Sequence, residues 1–183
     1  MVTRACAGWL CLASLAAGPA GPLRAAEQYP LALTLKAFAD TAADVTASVT
    51  IRVDRPMEAS RRKRVTDALM HGGYGNFLPM LRTLPPIGTV TLNARSVEIR
   101  YSREEQDATG RRLVLVADRP LFFLGGDPAK ARAGYELTLI DLRFDAHGGV
   151  TGTMAGAARV KPSPDGVVVL DVWAETPVHL TAR

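Results

Sequence analysis

The sequence predicts a predominantly antiparallel β protein of the α+β class. It reads as about eight strands in a curved sheet or partly closed barrel, with a two-helix insertion at 57–84. Three observations carry this. Several stretches alternate apolar and polar residues with a period of two. One internal stretch switches to helical spacing. Turn signals separate the strands, without the strand–helix alternation of a parallel sheet. A closed β-barrel of lipocalin size is the alternative that the same pattern allows.

The first strands lie at 31–38 and 44–54. Leu31, Leu33 and Leu35 fall on one side of the first. Val45, Ala47, Val49, Ile51 and Val53 face one way in the second, opposite Thr46, Ser48, Thr50 and Arg52, as a half-buried strand requires. The two pair across "ADTAAD". Pro56 suits a first helical turn, where its missing N–H costs nothing. Val65, Ala68 and Leu69 then share a helical face, and "HGGYGN" stops that helix. Asn76 caps a second helix whose Phe77, Met80, Leu81 and Leu84 recur at helical spacing, and Pro85-Pro86 ends it.

Strands resume with a hairpin at 88–93 and 95–103. "RRLVLVA" at 111–117 is apolar on both faces, which places it centrally or beneath a helix. The last third reads as a three-stranded meander with turns at "HGG" and "KPSPDG". Within 135–145 the apolar parity switches between Leu139 and Ile140, predicting a bulge there. The next strand carries Gly152, Met154, Gly156 and Ala158 on one face. Such small residues admit a close approach, by the protein's own elements or by a ligand.

Residues 1–26 have a basic start, an apolar run and a small-residue exit, the order of a secretory signal peptide. The run is too short to span a bilayer, which takes roughly 20 residues. Residues 27–183 are then a single β-rich domain, exported to the periplasm or secreted. Both cysteines, Cys6 and Cys11, lie in the leader, so the mature chain is cysteine-free and thiol chemistry is excluded from it. Arg4 and Arg24 supply two of the four net positive charges, and the remainder has no concentrated basic face for nucleic acid.

No catalytic motif emerges. His71, His147 and His179 lack the spacing of a metal site, and no cofactor is implied. No serine sits in a nucleophile elbow. Gly125-Gly126 leads to Asp127-Pro128, and Lys130 precedes alanine, so this is a capped turn and not a phosphate loop. Glu98, Asp118, Asp141, Asp171, His147 and His179 are the groups available to a small hydrolase or isomerase, the alternative to a non-catalytic role. The leading reading is an exported binding or scaffolding domain of the cell envelope, holding an apolar or amphipathic small molecule or an envelope protein. Phe122, Phe123, Gly152, Met154, Gly156 and Trp173 are its candidate ligand contacts. Arg61, Arg62, Lys63 and Arg64 are candidates for contact with an anionic membrane or polysaccharide surface. Leu121–Leu124 follow a proline, which places them at a sheet edge or barrel rim, either plugging the core or forming the lip of an apolar site.

Overall fold

A computed structural model describes residues 29–40, 42–107, 110–162, 168–172 and 176–182. Strands β1 (Leu31–Ala39) and β2 (Ala42–Val53) form the first hairpin, and helix α1 (Ala59–Thr83) follows. Then come β3 (Gly88–Leu92), β4 (Arg95–Asp107) and β5 (Gly110–Ala117). After an irregular stretch with a single 3-10 turn at Pro128–Lys130 come β6 (Leu137–Phe144), β7 (Val150–Pro162), β8 (Val168–Val172) and β9 (Val178–Ala182). All pairings are antiparallel, in the order β6-β5-β4-β3-β2-β1-β9-β7, and β6 also pairs with β7. Eight strands therefore close into a barrel. The far half of β7 continues past this ring and pairs with β8. Closure is the alternative reading of the sequence. The link that closes the barrel is β9, which pairs Thr151–Met154 of β7 on one edge and Leu35–Phe38 of β1 on the other.

Cross-strand partners share a face, so register separates inside from outside. Leu35 pairs with Val49, which pairs with Leu92; Leu115 pairs with Ile140, which pairs with Met154. These residues and Leu180 are almost wholly buried and fill the barrel. Thr34, Lys36, Thr50 and Arg52 alternate with them on the exposed side of β1 and β2.

Between β4 and β7 the opposite face is buried as well. Tyr101 pairs with Val116, Val116 with Leu139, and Leu139 with Ala155, a row across four strands in which every residue is buried. Helix α1 packs against β4 and β7 over this row, with Thr66 beside Tyr101. The row exists because β4 has a bulge at Arg100: Ile99 pairs with Ala117 on the inner face, and Tyr101 with Val116 on the outer one. The extra residue turns the strand over.

The bulge expected near Leu139-Ile140 is absent, and β6 runs in continuous register against β5. Its apolar parity switches for another reason. Leu139 lies under the outer cover, while Ile140 and Leu142 point into the barrel. A strand buried on both faces loses the alternation that defines a register. The real irregularity is on β7, where Gly156 and Ala157 stand against the single residue Thr138 of β6.

The predicted two-helix insertion is a single helical run broken at Gly73, whose φ of 62° and ψ of −163° leave the helical region. The break falls three residues before Asn76, so Asn76 is inside the second arm and is not its cap. Glycine takes a positive φ without the steric cost of a Cβ, which makes Gly73 the weak point of the run. Val65, Leu69, Phe77, Leu78 and Leu81 form the buried face. Tyr74, just past the break, donates to Glu136 at 2.5 Å and ties the helix to the segment before β6.

The stretch before Gly125-Gly126 closes the barrel beside the β7 irregularity. Leu121, Phe122 and Phe123 are buried and only Leu124 is exposed. The Leu121 N–H donates to the Gly156 carbonyl at 2.9 Å. A Cβ on Gly156 would stand 2.2 Å from the Leu121 carbonyl oxygen, against backbone that cannot swing aside. Gly156→Ala is therefore expected to destabilise the fold by about 1–3 kcal/mol, the range of overpacking, lowering the urea midpoint without changing the slope.

Candidate functional site

The candidate ligand contacts are distributed by the closure just described. Met154 is 1% exposed and lies inside the barrel. Gly156 is occupied by the Leu121 backbone, and a Cβ on Gly152 would meet the Asp141 carbonyl oxygen at 2.3 Å. The chain's own backbone thus accounts for the close approach at both glycines. Phe123 joins the hydrophobic core, and Phe122 is buried beside Gly126. Trp173 and Asp171's side chain lie outside the described residues, as does the 1–26 leader.

The open clefts on the described residues lie elsewhere, two of them flanking the first turns of α1. In one, of about 390 Å³, Met57, Leu84 and Ile87 form a buried apolar floor, and Arg55, Arg61 and Arg100 surround it. The chain builds it by bringing the β2–α1 and α1–β3 connections together. The Ile87 N–H donates to the Ile99 carbonyl, the Asp54 N–H to the Ile87 carbonyl, and the Met57 N–H to the Ser102 hydroxyl.

Arg100 anchors this wall. Its guanidinium donates to Asp118 at 2.7 Å, to Glu98 and to the Leu84 carbonyl at the end of α1. Its side chain is 16% exposed and that of Asp118 9%, so the pair is well shielded and loss of either partner would strand a charge. Arg61 pairs with Glu58 at 3.2 Å. Arg55 donates to the Pro86 carbonyl and has no carboxylate partner among the described residues. The cleft therefore combines an apolar floor with a guanidinium free to meet an anion.

The second flanking cleft, of about 220 Å³, holds Arg62, Lys63, Thr66 and Asp67 of α1 against Tyr101 and Arg103 of β4. The basic run is thus divided. Arg61 serves one cleft, Arg62 and Lys63 the other, and Arg64 is exposed on the helix. Arg55, Met57 and Arg100 escaped the sequence reading. The alternation through Val97, Ile99 and Tyr101 gives no sign of the bulge that places Arg100.

The titratable groups considered for acid–base chemistry do not converge. Asp141 is held by Arg112 at 2.7 Å, and Glu98 and Asp118 by Arg100. His179 meets Asp40 at 3.1 Å on the outer surface, stacked on Phe38 at 5.2 Å between ring centroids. His71 contacts the Asp67 carbonyl at 2.9 Å. His147 belongs to the β6–β7 turn, where its N–H and that of Gly149 both donate to Asp145. Burial, then the hydrogen bond to Glu136, pushes the Tyr74 phenol up, so it stays protonated as the donor. Among the described residues no three of His, Cys, Asp and Glu gather to hold a metal ion.

No known protein family matches the chain, and neither the curated proteins nor the solved structures contain a match. The geometry alone carries the functional reading.

The Asp145 turn offers a check on the hairpin. The N–H groups of Gly149 and His147 hold its carboxyl below the usual range. A carboxylate lowered on folding stabilises the protein above its unfolded-state value of about 4, and this contribution is lost as pH falls through the folded value. The urea midpoints of the protein and of Asp145→Ala are accordingly expected to differ at neutral pH and to approach one another as pH falls below about 4.

Proposed function

We propose that this protein is an exported, non-catalytic binding domain of the cell envelope. It takes an amphipathic anion, with the apolar group on the floor of the Arg55–Arg61–Arg100 cleft and the negative head toward Arg55 and Arg61. The observation that carries the reading is the juxtaposition in one cleft of Met57, Leu84 and Ile87 with these arginines. Its volume, about 390 Å³, falls within the size range of small-molecule sites. Export rests on the signal-peptide pattern of residues 1–26.

Placement at this cleft, and not in the barrel interior, follows from the packing. The inner face is filled by Leu35, Val49, Leu115, Ile140, Met154 and Leu180. Arg100 is already matched by Asp118 and Glu98 and serves as a wall, leaving Arg55 and Arg61 to meet the ligand. Arg61 exchanges its Glu58 partner for the incoming anion.

Titration calorimetry with decanoate, and with decyltrimethylammonium as the opposite-charge control, tests this. Decanoate is expected to bind and the cation not. The Arg55→Ala/Arg61→Ala double variant is expected to lose at least about tenfold in affinity, equivalent to 1.4 kcal/mol. Equal binding of both amphiphiles, or no effect of the double variant, contradicts the assignment.

A further inference from the structure

We infer that the second cleft beside α1 is a separate site for a compact oxyanion, a phosphate or sulfate group, held by Arg62, Lys63 and Arg103 and hydrogen-bonded by the hydroxyl of Tyr101. It does not rest on the amphipathic-anion reading. The two clefts lie on opposite sides of the first helical turns and share no lining residue.

The first observation is the charge. Three cations line a cleft of about 220 Å³ that contains one carboxylate, Asp67. Asp67 is taken up by Lys63 at 2.7 Å. Arg103 is paired with Glu105 at 2.7 Å, outside the lining. Arg62 has no ion-pair partner among the described residues; only its backbone N–H is engaged, by the Glu58 carbonyl at 2.9 Å. A planar guanidinium without a partner is the side chain best suited to a tetrahedral oxyanion, which it can meet through two N–H groups.

The second observation is Tyr101. It is 1% exposed, and its hydroxyl is the buried side-chain polar atom without a hydrogen-bond partner among the described residues. Leaving such a group unsatisfied costs about 1–3 kcal/mol, and native proteins rarely retain one without a use. Burial raises the phenol and keeps it protonated, outweighing the opposite influence of the Thr66 side chain, which lies close by but outside hydrogen-bond geometry. Tyr101 is thus a neutral donor beneath a cationic cleft, lacking an acceptor. As the oxyanion arrives between Arg62 and Arg103, Thr66 turns aside and Tyr101 donates to one of its oxygens. Asp67 stays on Lys63 and screens part of that charge, which favours a compact group over an extended polyanion.

Free phosphate and the phosphate of a lipid headgroup share this chemistry, and two measurements separate them. The full mature chain is titrated with inorganic phosphate at constant ionic strength, with the Tyr101 ring resonances followed by NMR. In parallel it is sedimented with vesicles of phosphatidylglycerol and of phosphatidylcholine. The proposal predicts a saturable shift at Tyr101, or retention on the phosphatidylglycerol vesicles alone if the headgroup is the ligand. Arg62→Ala is expected to weaken the response about tenfold. Tyr101→Phe is expected to weaken it several-fold while raising the melting temperature of the ligand-free protein, because the unsatisfied hydroxyl is gone. No saturable response in either arm overturns the proposal. So does a Tyr101→Phe variant that binds as tightly as the parent, or an Arg62→Ala variant that responds unchanged. The decanoate measurement reads Arg55 and Arg61, so failure of one site is distinguishable from failure of the other.

Discussion

The bulge at Arg100 is the constraint on which the remaining architecture depends. Without it, Ile99 and Tyr101 would face the same way, as residues two apart in a strand do. With it, Ile99 enters the barrel and Tyr101 joins Val116, Leu139 and Ala155 on the outside. That outer row is too apolar to face water, and α1 covers it. The same bulge places the guanidinium where it meets Asp118, Glu98 and the Leu84 carbonyl, fixing the end of the β2–β3 insertion to β4, while the Met57 N–H on the Ser102 hydroxyl fixes its start to the same strand. Breaking a shielded pair of this kind by removing one partner costs about 3–5 kcal/mol, as much as a large core truncation.

Both clefts follow from this arrangement. A helix laid across a sheet meets it along a line, and the two sides of that line remain open where the strand carries polar residues. Beyond the bulge β4 offers Tyr101 and Arg103 to one side, and Arg100 itself walls the other. The arginine-rich first turns of α1 supply the opposite wall of each. A run of four basic residues that looks like a surface patch in the sequence is thereby split between two distinct environments.

Much of the fold was legible in the residues themselves. The alternation through Val49, Ile51 and Val53, the hairpin that turns between Leu92 and Arg95, and the two-sided apolarity of Leu113–Ala117 each correspond to observed elements. The helical insertion was legible too, through Val65, Leu69, Phe77 and Leu81. What misled was local parity. At Leu139-Ile140 the switch records cover by a second layer, while the true bulge at Arg100 leaves no mark, because Val97, Ile99 and Tyr101 continue an unbroken period of two. The candidate site was less legible. Gly152 and Gly156 announce close approach without saying what approaches, and the answer is backbone. Arg55, Met57 and Arg100 are far apart in sequence and acquire a common chemistry only when the insertion folds back on β4.

The central claim is that α1 lies on the outer face of β4–β7, with the Arg100 bulge turning Tyr101 toward it. Solution NMR of the full chain tests this directly, through nuclear Overhauser effects between the Thr66 methyl and the Tyr101 ring and between the Tyr74 ring and Glu136. The account predicts both contacts, with the Tyr101 ring shielded from soluble paramagnetic relaxation agents. Absence of the Thr66–Tyr101 contact, together with a relaxed and solvent-accessible Tyr101 ring, would contradict it.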